Sequence, residues 1–308
     1  MGRFKISILI VGVVGLVAIF AVTQSTFKKD STQQGTVKVF TSFYPLAYAV
    51  SAVGGARVSV TNLLPAGGEP HDFEPSPRDF VALSKSDLFF YNGAHLEPWI
   101  EKWKNGSFTE PRHVVDMTSE LSGRGVVLLT KDGVTDPHVW GDPVIFMREI
   151  EIVRDALINA DPEHTALYRV NADETIKKLT ALDQRFRAGL LSCEKKEVIV
   201  SHDAFRYLAQ EYHFGVIPIA GISPDEEPSP KTLAQIAGIA RTKGIRYIFF
   251  ETTVSPKLSE VIAREIGGQT LVLNPLESLT ANEVQSGEDY ISKMEMNLNN
   301  LRTALICR

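Results

Sequence analysis

The feature that most constrains the fold is an alternation, repeated twice along the chain, of short β-branched or aromatic runs with stretches of helical periodicity. The runs that predict strands are 37–41, 57–63, 87–91 and 113–116 in the first set, and 197–201, 215–219, 246–251 and 269–274 in the second. Helical spacing of apolar residues falls between them, as in 46–53, 77–84, 204–212, 230–243 and 255–266. Strands that alternate with helices form parallel sheets covered by helices. We therefore predict an α/β protein, and 308 residues are enough for two similar lobes.

Between the two sets, residues 162–191 carry apolar side chains at helical spacing, with charges elsewhere. The apolar positions are Leu167, Val170, Ile176, Leu179, Leu182 and Phe186. Asp161 is suited to cap a helix that starts here, and Pro162 is tolerated in a first turn. We predict one long, rigid helix, a link of residues 161–192 between a first lobe of 37–160 and a second of 193–308. As a stiff strut it would limit how far the lobes open and close.

The amino terminus differs in kind from the rest. Arg3 and Lys5 precede an apolar stretch, residues 6–22. It falls slightly short of the roughly 20 residues that span a bilayer, and neither a convincing small-residue cleavage site nor a Cys for lipid attachment accompanies it. We favour an uncleaved membrane anchor in residues 1–23 over a cleaved signal peptide, with a flexible tether in 24–36. The basic residues ahead of the anchor predict that the remaining chain lies outside the cytoplasm.

The chain has two cysteines, Cys193 and Cys307. In an exported protein an even pair is more often a disulfide than two free thiols. We predict a bridge that fastens the last helix to the second lobe. Two reduced, buried cysteines are the alternative.

The charge of the chain argues against one class of partner. Its formal net charge is −5, and no run of basic residues with interleaved aromatic residues occurs. Nucleic-acid binding would require a basic stripe. We expect a monomer without a nucleic-acid partner.

Three histidines stand in short polar or Pro-punctuated contexts: Pro70-His71-Asp72, Asp136-Pro137-His138-Val139-Trp140 and Ser201-His202-Asp203. Long stretches of chain separate them, which excludes a finger or a one-helix motif, so they meet only if separate structural units bring them together. His71 and His202 follow predicted strands, and the carboxyl ends of strands are where α/β sheets bind ligands. Glu277, after the last strand, is a fourth candidate. For any one of these histidines, a surface or hydrogen-bonding role is the alternative.

Together these side chains offer three imidazoles and one carboxylate to a divalent cation. Zn²⁺ is the usual occupant of such a tetrahedral site, whereas a manganese site would lean toward more carboxylate. Capture requires neutral imidazoles, so affinity should fall as the pH drops through about 6.5.

Several acidic residues are candidates to orient an imidazole from behind, with ordinary turn or capping roles as the equal alternative. They are Glu69, Asp72, Asp136, Asp203 and Glu251. We expect Trp140 and Phe205 to wall the site with apolar surface. His95 is expected on an exposed loop rather than at the cleft mouth.

From Val37 onward the chain resembles the substrate-binding proteins of bacterial zinc and manganese ABC importers. The motifs that carry the resemblance occur in the family's order: Gly68-Glu69-Pro70-His71-Asp72-Phe73-Glu74-Pro75, Asp136-Pro137-His138-Val139-Trp140, Ser201-His202-Asp203-Ala204-Phe205, Gly221-Ile222-Ser223-Pro224 with Glu227-Pro228-Ser229-Pro230, and Phe250-Glu251. The resemblance implies two similar lobes joined by a long helix, with the metal between them. It also implies that His71, His138 and His202 are ligands, and that Glu277 is the fourth ligand of the family's Gram-positive zinc branch. The manganese branch usually has Glu at the third position, so His202 favours zinc.

Three departures from the family pattern limit this transfer. Residues 119–135 contain no His, although many zinc members carry a His-rich loop there. Asn274 stands where many members have Asp, which leaves Glu277 or a water to complete the coordination. Gram-positive relatives are usually anchored through a lipid-bearing Cys that this chain lacks.

We therefore expect a binding protein without catalysis that captures Zn²⁺ outside the cell and delivers it to an ABC-type permease in the cytoplasmic membrane. A manganese- or iron-binding member of the same family is one alternative. A zinc-dependent hydrolase is another, with three histidines on the metal and Glu251 or Glu69 as base. No HExxH motif supports the hydrolase.

Overall fold

The first set of strands forms a four-stranded parallel sheet in the computed structural model, which describes residues 36–106 and 109–308. Its strands are β1 (Val37–Thr41), β2 (Val58–Asn62), β3 (Leu88–Tyr91) and β4 (His113–Asp116), in the order β2-β1-β3-β4. Val39 of β1 pairs with Val60 on one side and Leu88 on the other. All four side chains of β3 are buried, as expected for a central strand covered on both faces. The covering helices are α1 (Tyr44–Gly54), α2 (Pro77–Leu83), α3 (Ile100–Lys104) and α4 (Met117–Gly123).

A two-stranded antiparallel hairpin that the sequence analysis did not predict precedes His138. It comprises β5 (Thr130–Lys131) and β6 (Val134–Thr135). Gly133 has φ 82°, a left-handed conformation that glycine adopts without strain and that suits so tight a turn. The hairpin contacts the second half of the chain, because the Leu129 N–H donates to the Tyr207 hydroxyl at 2.9 Å.

The second set of strands repeats the topology of the first. It comprises β7 (Glu197–Val200), β8 (Gly215–Pro218), β9 (Tyr247–Phe250) and β10 (Gln269–Val272), all parallel and ordered β10-β9-β7-β8. In both sheets the first strand therefore lies between the second and third, and the fourth is an edge. The helices α7 (Arg206–Tyr212), α8 (Pro230–Lys243), α9 (Lys257–Ile266) and α10 (Ala281–Gln285) accompany this sheet. The prediction of two similar α/β halves is confirmed.

Two long helices lie between the sheets along the chain, α5 (Pro143–Ala160) and α6 (Thr165–Leu190). Asp142 caps α5 by accepting the Val144 N–H at 2.8 Å. The predicted long helix is present as α6, and α5, α1 and the last helix, α11 (Tyr290–Leu305), pack against it. One continuous apolar cluster includes buried side chains of both sheets and of this helical layer, among them Val39, Leu182 and Val200.

The start and the inner face of α6 differ from the prediction. A 3₁₀ turn, Pro162–His164, precedes the helix, and its N-cap residue, His164, makes no side-chain capping bond. Asp161 does not cap it, because its carboxylate accepts the Tyr168 hydroxyl at 2.6 Å and the His164 imidazole at 2.9 Å. Leu167 and Val170, expected on the apolar face, are exposed. Tyr168 and Ala172 are buried in this first part of the helix instead.

The predicted disulfide is present between Cys193 and Cys307. It joins the chain just after α6 to the residue that follows the left-handed Ile306 at the end of α11. Backbone bonds continue the contact, since the Lys195 N–H donates to the Leu305 carbonyl at 2.9 Å. The bridge thus fastens the last helix at the amino end of β7, as predicted.

In residues 36–106 and 109–308, no helix is long and apolar enough to cross a membrane. The prediction of an anchor in residues 1–23, and of nearly all of the tether that follows, concerns residues 1–35, outside the part of the chain that the structure describes.

Candidate metal centre

His71 lies on the long loop between β2 and α2, residues 63–76. Gly67, with φ 77°, provides the left-handed turn that this loop needs. The Gly67 N–H donates to the Leu279 carbonyl and to the Ser278 hydroxyl, both at 2.9 Å. The loop from the first half therefore rests on the segment of the second half that carries Glu277.

His138 follows the β5–β6 hairpin and begins a 3₁₀ turn, Val139–Gly141. The Asn92 side-chain amide donates to the Pro137 carbonyl at 2.9 Å. Asn92 follows β3, and its own N–H donates at 2.8 Å to the buried carboxylate of Glu97, which also accepts the Ser42 hydroxyl after β1 at 2.6 Å. The strand order of the first sheet reverses at this point, and the network there holds the backbone before His138.

His202 follows β7 directly, at the corresponding reversal of the second sheet. Glu251 follows β9, the neighbouring strand, so the two side chains meet at the carboxyl ends of adjacent parallel strands. Glu277 follows β10, and all three side chains are buried.

The structure brings the four predicted ligands together. One nitrogen or oxygen from each of His71, His138, His202 and Glu277 lies within 4.8 Å of all the others. His71 Nε2 is 3.2 Å from His138 Nε2. Glu277 Oε1 is 3.3 Å from both His138 Nε2 and His202 Nε2, and 3.7 Å from His71 Nε2. Four ligands about 2.0–2.1 Å from a tetrahedral zinc ion would be separated by about 3.3 Å. Four of the six distances among the ligand atoms, 3.2–3.7 Å, are thus close to the spacing of a tetrahedral zinc site, and all six are within 4.8 Å.

Two of the three imidazoles are oriented by carboxylates. His138 Nδ1 donates to Asp136 Oδ1 at 2.8 Å, and His202 Nδ1 donates to Glu251 Oε1 at 2.6 Å. Each bond fixes the proton on Nδ1 and leaves Nε2 as the donor atom that faces the cluster. The second carboxylate oxygen of Glu277 is buried with no hydrogen-bond partner, which is costly unless a cation compensates it.

The charges inside the cluster shift its titration. Burial opposes ionisation of Glu277, but the neighbouring imidazoles outweigh burial and hold its pKa well below the ordinary value. Burial likewise opposes the charge on His202 and His138, yet the carboxylates beside them raise both pKa values, that of His202 strongly. The pKa of His71 is lowered, because burial dominates and Glu277 compensates only in part.

The structure places the five predicted orienting carboxylates in three kinds of position. Asp136 and Glu251 contact imidazoles as expected. Glu69 accepts the backbone N–H of His71 at 3.2 Å rather than its ring, and burial beside Glu277 raises its pKa to about 9. The other two have different surroundings: Asp72 is exposed, and the Asp203 carboxylate pairs with Lys131 at 2.9 Å.

Of the two aromatic residues predicted to wall the site, Trp140 lies beside it, and it makes one contact that the sequence did not reveal. Trp140 and Phe205 are buried, and the Trp140 ring centroid lies 5.3 Å from that of His138. The Trp140 indole N–H also donates to the Pro275 carbonyl at 2.7 Å, which ties the His138 segment to the Glu277 segment. The Asn92 and Glu97 network was missed as well, although a polar run directly after a buried strand was a usable signal. His95 is exposed, as expected.

Two parallel α/β halves with a shared core, and a cluster of three histidines and a glutamate contributed by both, define a two-lobed binding protein with a candidate metal centre. The sequence model of one family, described as zinc-uptake complex component A, periplasmic (ZnuA), matches residues 39–304. The chain belongs to this family.

Curated relatives agree with this assignment. The chain is 34% identical over 306 residues to the zinc-binding protein AdcA of Streptococcus pyogenes serotype M6, covering 93% of this chain and 59% of that protein's length. It is 34% identical over 295 residues to the high-affinity zinc uptake system protein ZnuA of Bacillus subtilis, with 92% of each chain covered.

Solved structures share the fold. The Zn(II)-bound ZnuA-like domain of Streptococcus pneumoniae AdcA superposes with a TM-score of 0.77 at 35% identity, over 88% of this chain and 99% of that one. The laminin-binding protein of Streptococcus agalactiae, described as bifunctional with adhesin and metal-transporting activity, gives a TM-score of 0.79 at 29% identity, over 88% of this chain and all of that one (100%).

Proposed function

We propose that this protein binds Zn²⁺ as cargo through Nε2 of His71, His138 and His202 and through Oε1 of Glu277. The observation that carries the proposal is the meeting of these four atoms, from four separate chain segments, within 4.8 Å of one another, with Glu277 Oε1 3.3 Å from two of the imidazole nitrogens, close to the spacing in a tetrahedral zinc site. The zinc-binding names of the AdcA and ZnuA relatives support it.

The donor set favours zinc over manganese or iron within the same family. Three imidazoles and one carboxylate suit a cation of intermediate softness, whereas Mn²⁺ prefers more oxygen ligands and a higher coordination number. Competition between the two metals for the stripped protein tests this choice. A preference for Mn²⁺ would reverse it.

Binding without catalysis follows from the occupation of the fourth position. Catalytic zinc keeps one position open for water and needs a free base nearby. Here Glu277 Oε1 lies at that position, 3.3 Å from two of the imidazole nitrogens. The proposed base Glu251 is engaged by the His202 ring at 2.6 Å. Assays with simple esters, peptides and phosphates should show no hydrolysis by the zinc-loaded protein.

The second part of the proposal is that the protein, on the outer face of the cytoplasmic membrane, delivers the bound zinc to an ABC permease in that membrane. It rests on membership of a family of zinc-uptake components. The chain would act as two lobes, residues 37–160 and 193–308, joined by a link of residues 161–192. Because one apolar cluster spans both sheets and the helices between them, we expect small lobe movements on release. Cells that lack the protein should accumulate less ⁶⁵Zn at limiting zinc.

Calorimetric titration of the metal-stripped protein tests the site. We expect one zinc ion per chain, and a weaker affinity when His71, His138, His202 or Glu277 is replaced by alanine. The matched control is His113→Ala, which removes an exposed histidine on β4. Wild-type affinity in the three histidine variants would refute the site. Wild-type affinity in Glu277→Ala, with losses in the three histidine variants, would mean that a water rather than the Glu277 carboxylate is the fourth ligand.

A further inference from the structure

The backbone directly before Glu277 adopts a conformation that its sequence does not favour. Leu276 has φ 64°, in the left-handed region that residues other than Gly, Asn and Asp rarely occupy. Leu276 is also almost completely buried. The direction in which Glu277 leaves the chain depends on this residue, so something must hold Leu276 in place.

The side chain of Asn274 provides that restraint. Its Oδ1 accepts the Leu276 N–H at 2.7 Å, which closes a local turn between residues 274 and 276. Its Nδ2 donates to the Thr252 hydroxyl at 3.1 Å. Thr252 directly follows Glu251, the carboxylate that orients His202. One buried amide therefore links the Glu277 segment to the segment behind His202.

The rest of this short segment is fixed by neighbours on both sides. Asn297 of α11 accepts the Asn274 N–H at 2.8 Å and donates to the Asn274 carbonyl at 2.7 Å. Trp140 donates to the Pro275 carbonyl at 2.7 Å. Every backbone N–H and carbonyl from Asn274 to the Leu276 N–H has a partner, apart from Pro275, which has no N–H. Glu277 thus extends from a rigid support.

We propose that Asn274 is a positioning residue, whose side-chain amide holds Leu276 in the left-handed conformation and thereby directs Glu277 Oε1 toward the three imidazoles. The inference rests on the proposed role of Glu277 as a ligand. It also gives a physical reason for an asparagine here: the position uses one acceptor and one donor, and an ionised aspartate offers acceptors only. An aspartate would also place a further negative charge among Glu251 and Glu277.

Zinc affinities of Asn274→Ala, Glu277→Gln and the double variant test the proposal as a double-mutant cycle. We expect Asn274→Ala to weaken zinc binding by about 10- to 100-fold, the usual effect of losing a group that orients a ligand. In the Glu277→Gln background the same change should have almost no further effect, because no carboxylate ligand remains to be directed. The matched control is Asn300→Ala. Asn300 is on α11, and its side-chain amide donates at 2.8 Å to the carbonyl of Val272, two residues before Asn274.

Absorption of the Co²⁺-substituted protein provides a second readout that loss of stability would not change. The intense visible bands of four-coordinate Co²⁺ should weaken in Asn274→Ala, as in Glu277→Gln, and stay unchanged in Asn300→Ala. Should Asn274→Ala not fold, Asn274→Leu takes its place. Its side chain is of similar size but can neither accept from the Leu276 N–H nor donate to Thr252, and we expect a loss of about tenfold or more.

The outcomes separate the two proposals. Wild-type affinity and wild-type Co²⁺ bands in the folded Asn274 variant, with Glu277→Gln impaired, would overturn the positioning role and leave the ligand role intact. The positioning role would also be overturned if the losses of binding free energy in Asn274→Ala and Glu277→Gln added in full in the double variant. Wild-type affinity in Glu277→Gln would overturn both.

Discussion

His202 and His71 are held in opposite ways, although both supply Nε2 to the same cluster. His202 follows a buried strand at once, its side chain is fully buried, and its second nitrogen bonds to Glu251. His71 lies on the loop of residues 63–76, its side chain is 7% exposed, and its ring meets only the Glu277 carboxylate of the cluster itself, at 3.7 Å, rather than an orienting carboxylate on its other nitrogen. Their pKa shifts are opposite too, upward for His202 and downward for His71.

The difference assigns distinct tasks to the two sides of the cluster. His202 belongs to the frame of the second sheet, and moving it would disturb a buried ion pair. His71 moves if its loop moves, and the loop is held to the second half by bonds from the Gly67 N–H to the Leu279 carbonyl and the Ser278 hydroxyl. We therefore expect zinc to enter and leave on the His71 side, with the frame around His202 unchanged.

The largest expected effect is the loss of zinc affinity in His202→Ala. A structural zinc site contributes about 10–16 kcal/mol, so one ligand of four is worth roughly 3 kcal/mol, which is more than a hundredfold in affinity. His202→Ala also leaves Glu251 buried without its imidazole, which adds to the loss. His71→Ala should lose less, because water reaches its position from solvent. Calorimetry or competition with a chromogenic chelator measures both.

An equal or larger loss in His71→Ala would contradict the contrast. Dissociation rates provide an independent check. For each variant, the increase in the rate of zinc release to excess chelator can be compared with the loss of affinity. If zinc leaves on the His71 side, a larger share of the affinity loss should appear as faster release in His71→Ala than in His202→Ala.

Glu251→Gln should weaken zinc binding by about 10- to 100-fold, the usual cost of removing the charge behind a metal-bound imidazole. The matched variant is Glu69→Gln. Glu69 contacts the backbone N–H of His71 at 3.2 Å and no ring, so its substitution should change the affinity by less than about threefold. Equal losses in the two variants would show that His71 is supported as firmly as His202.

Proton release on zinc binding should come from His138 and His202 and not from His71. A raised pKa increases the protonated fraction of the first two imidazoles in the metal-free protein, so binding must expel more protons from them. The lowered pKa of His71 means that it is already neutral. When the pH is lowered, the zinc affinity should therefore start to decrease at a pH higher than about 6.5, the ordinary pKa of histidine.

Calorimetry in buffers of different ionisation enthalpy counts these protons. We expect about one to two per zinc ion at pH 7, the same number in His71→Ala, and fewer in His202→Ala. A lower count in His71→Ala would mean that His71 also carries a proton before binding.

Most of the fold and the meeting of the four candidate ligands were predictable because both follow from local chemistry. β-branched and aromatic runs mark the strands, so β7 and β10 were predicted to within two residues, and their carboxyl ends mark His202 and Glu277. The disulfide was predicted from the expected export of the chain and from an even number of cysteines. The alternation also predicted two similar halves, although the chain has no internal sequence repeat.

What the sequence could not provide was the direction of side chains in irregular backbone. Asp72 and Asp203 directly follow candidate ligands and Asp136 lies two residues before one, and of the three only Asp136 bonds to a ring. Lys131, which engages Asp203, belongs to a hairpin that was not predicted. Nothing about a leucine suggests the left-handed conformation of Leu276. Such details depend on contacts between distant segments, here those made by Asn297 and Trp140.

Removal of the disulfide should have the smallest effect on zinc affinity of the changes considered. Cys193 lies before the amino end of β7 and His202 follows its carboxyl end, so the bridge and the site are at opposite ends of this strand. Replacing both cysteines with serine should lower the free energy of unfolding by about 2–5 kcal/mol, since the bridge closes a long loop in the unfolded chain. Zinc affinity should change by less than about threefold, because distant sites that share no partners are nearly independent. Denaturant unfolding and calorimetry on the same variant measure both quantities. A large loss of affinity would show that the position of His202 depends on the disulfide at the other end of β7. The backbone around His202 would then be less rigid than its buried contacts imply.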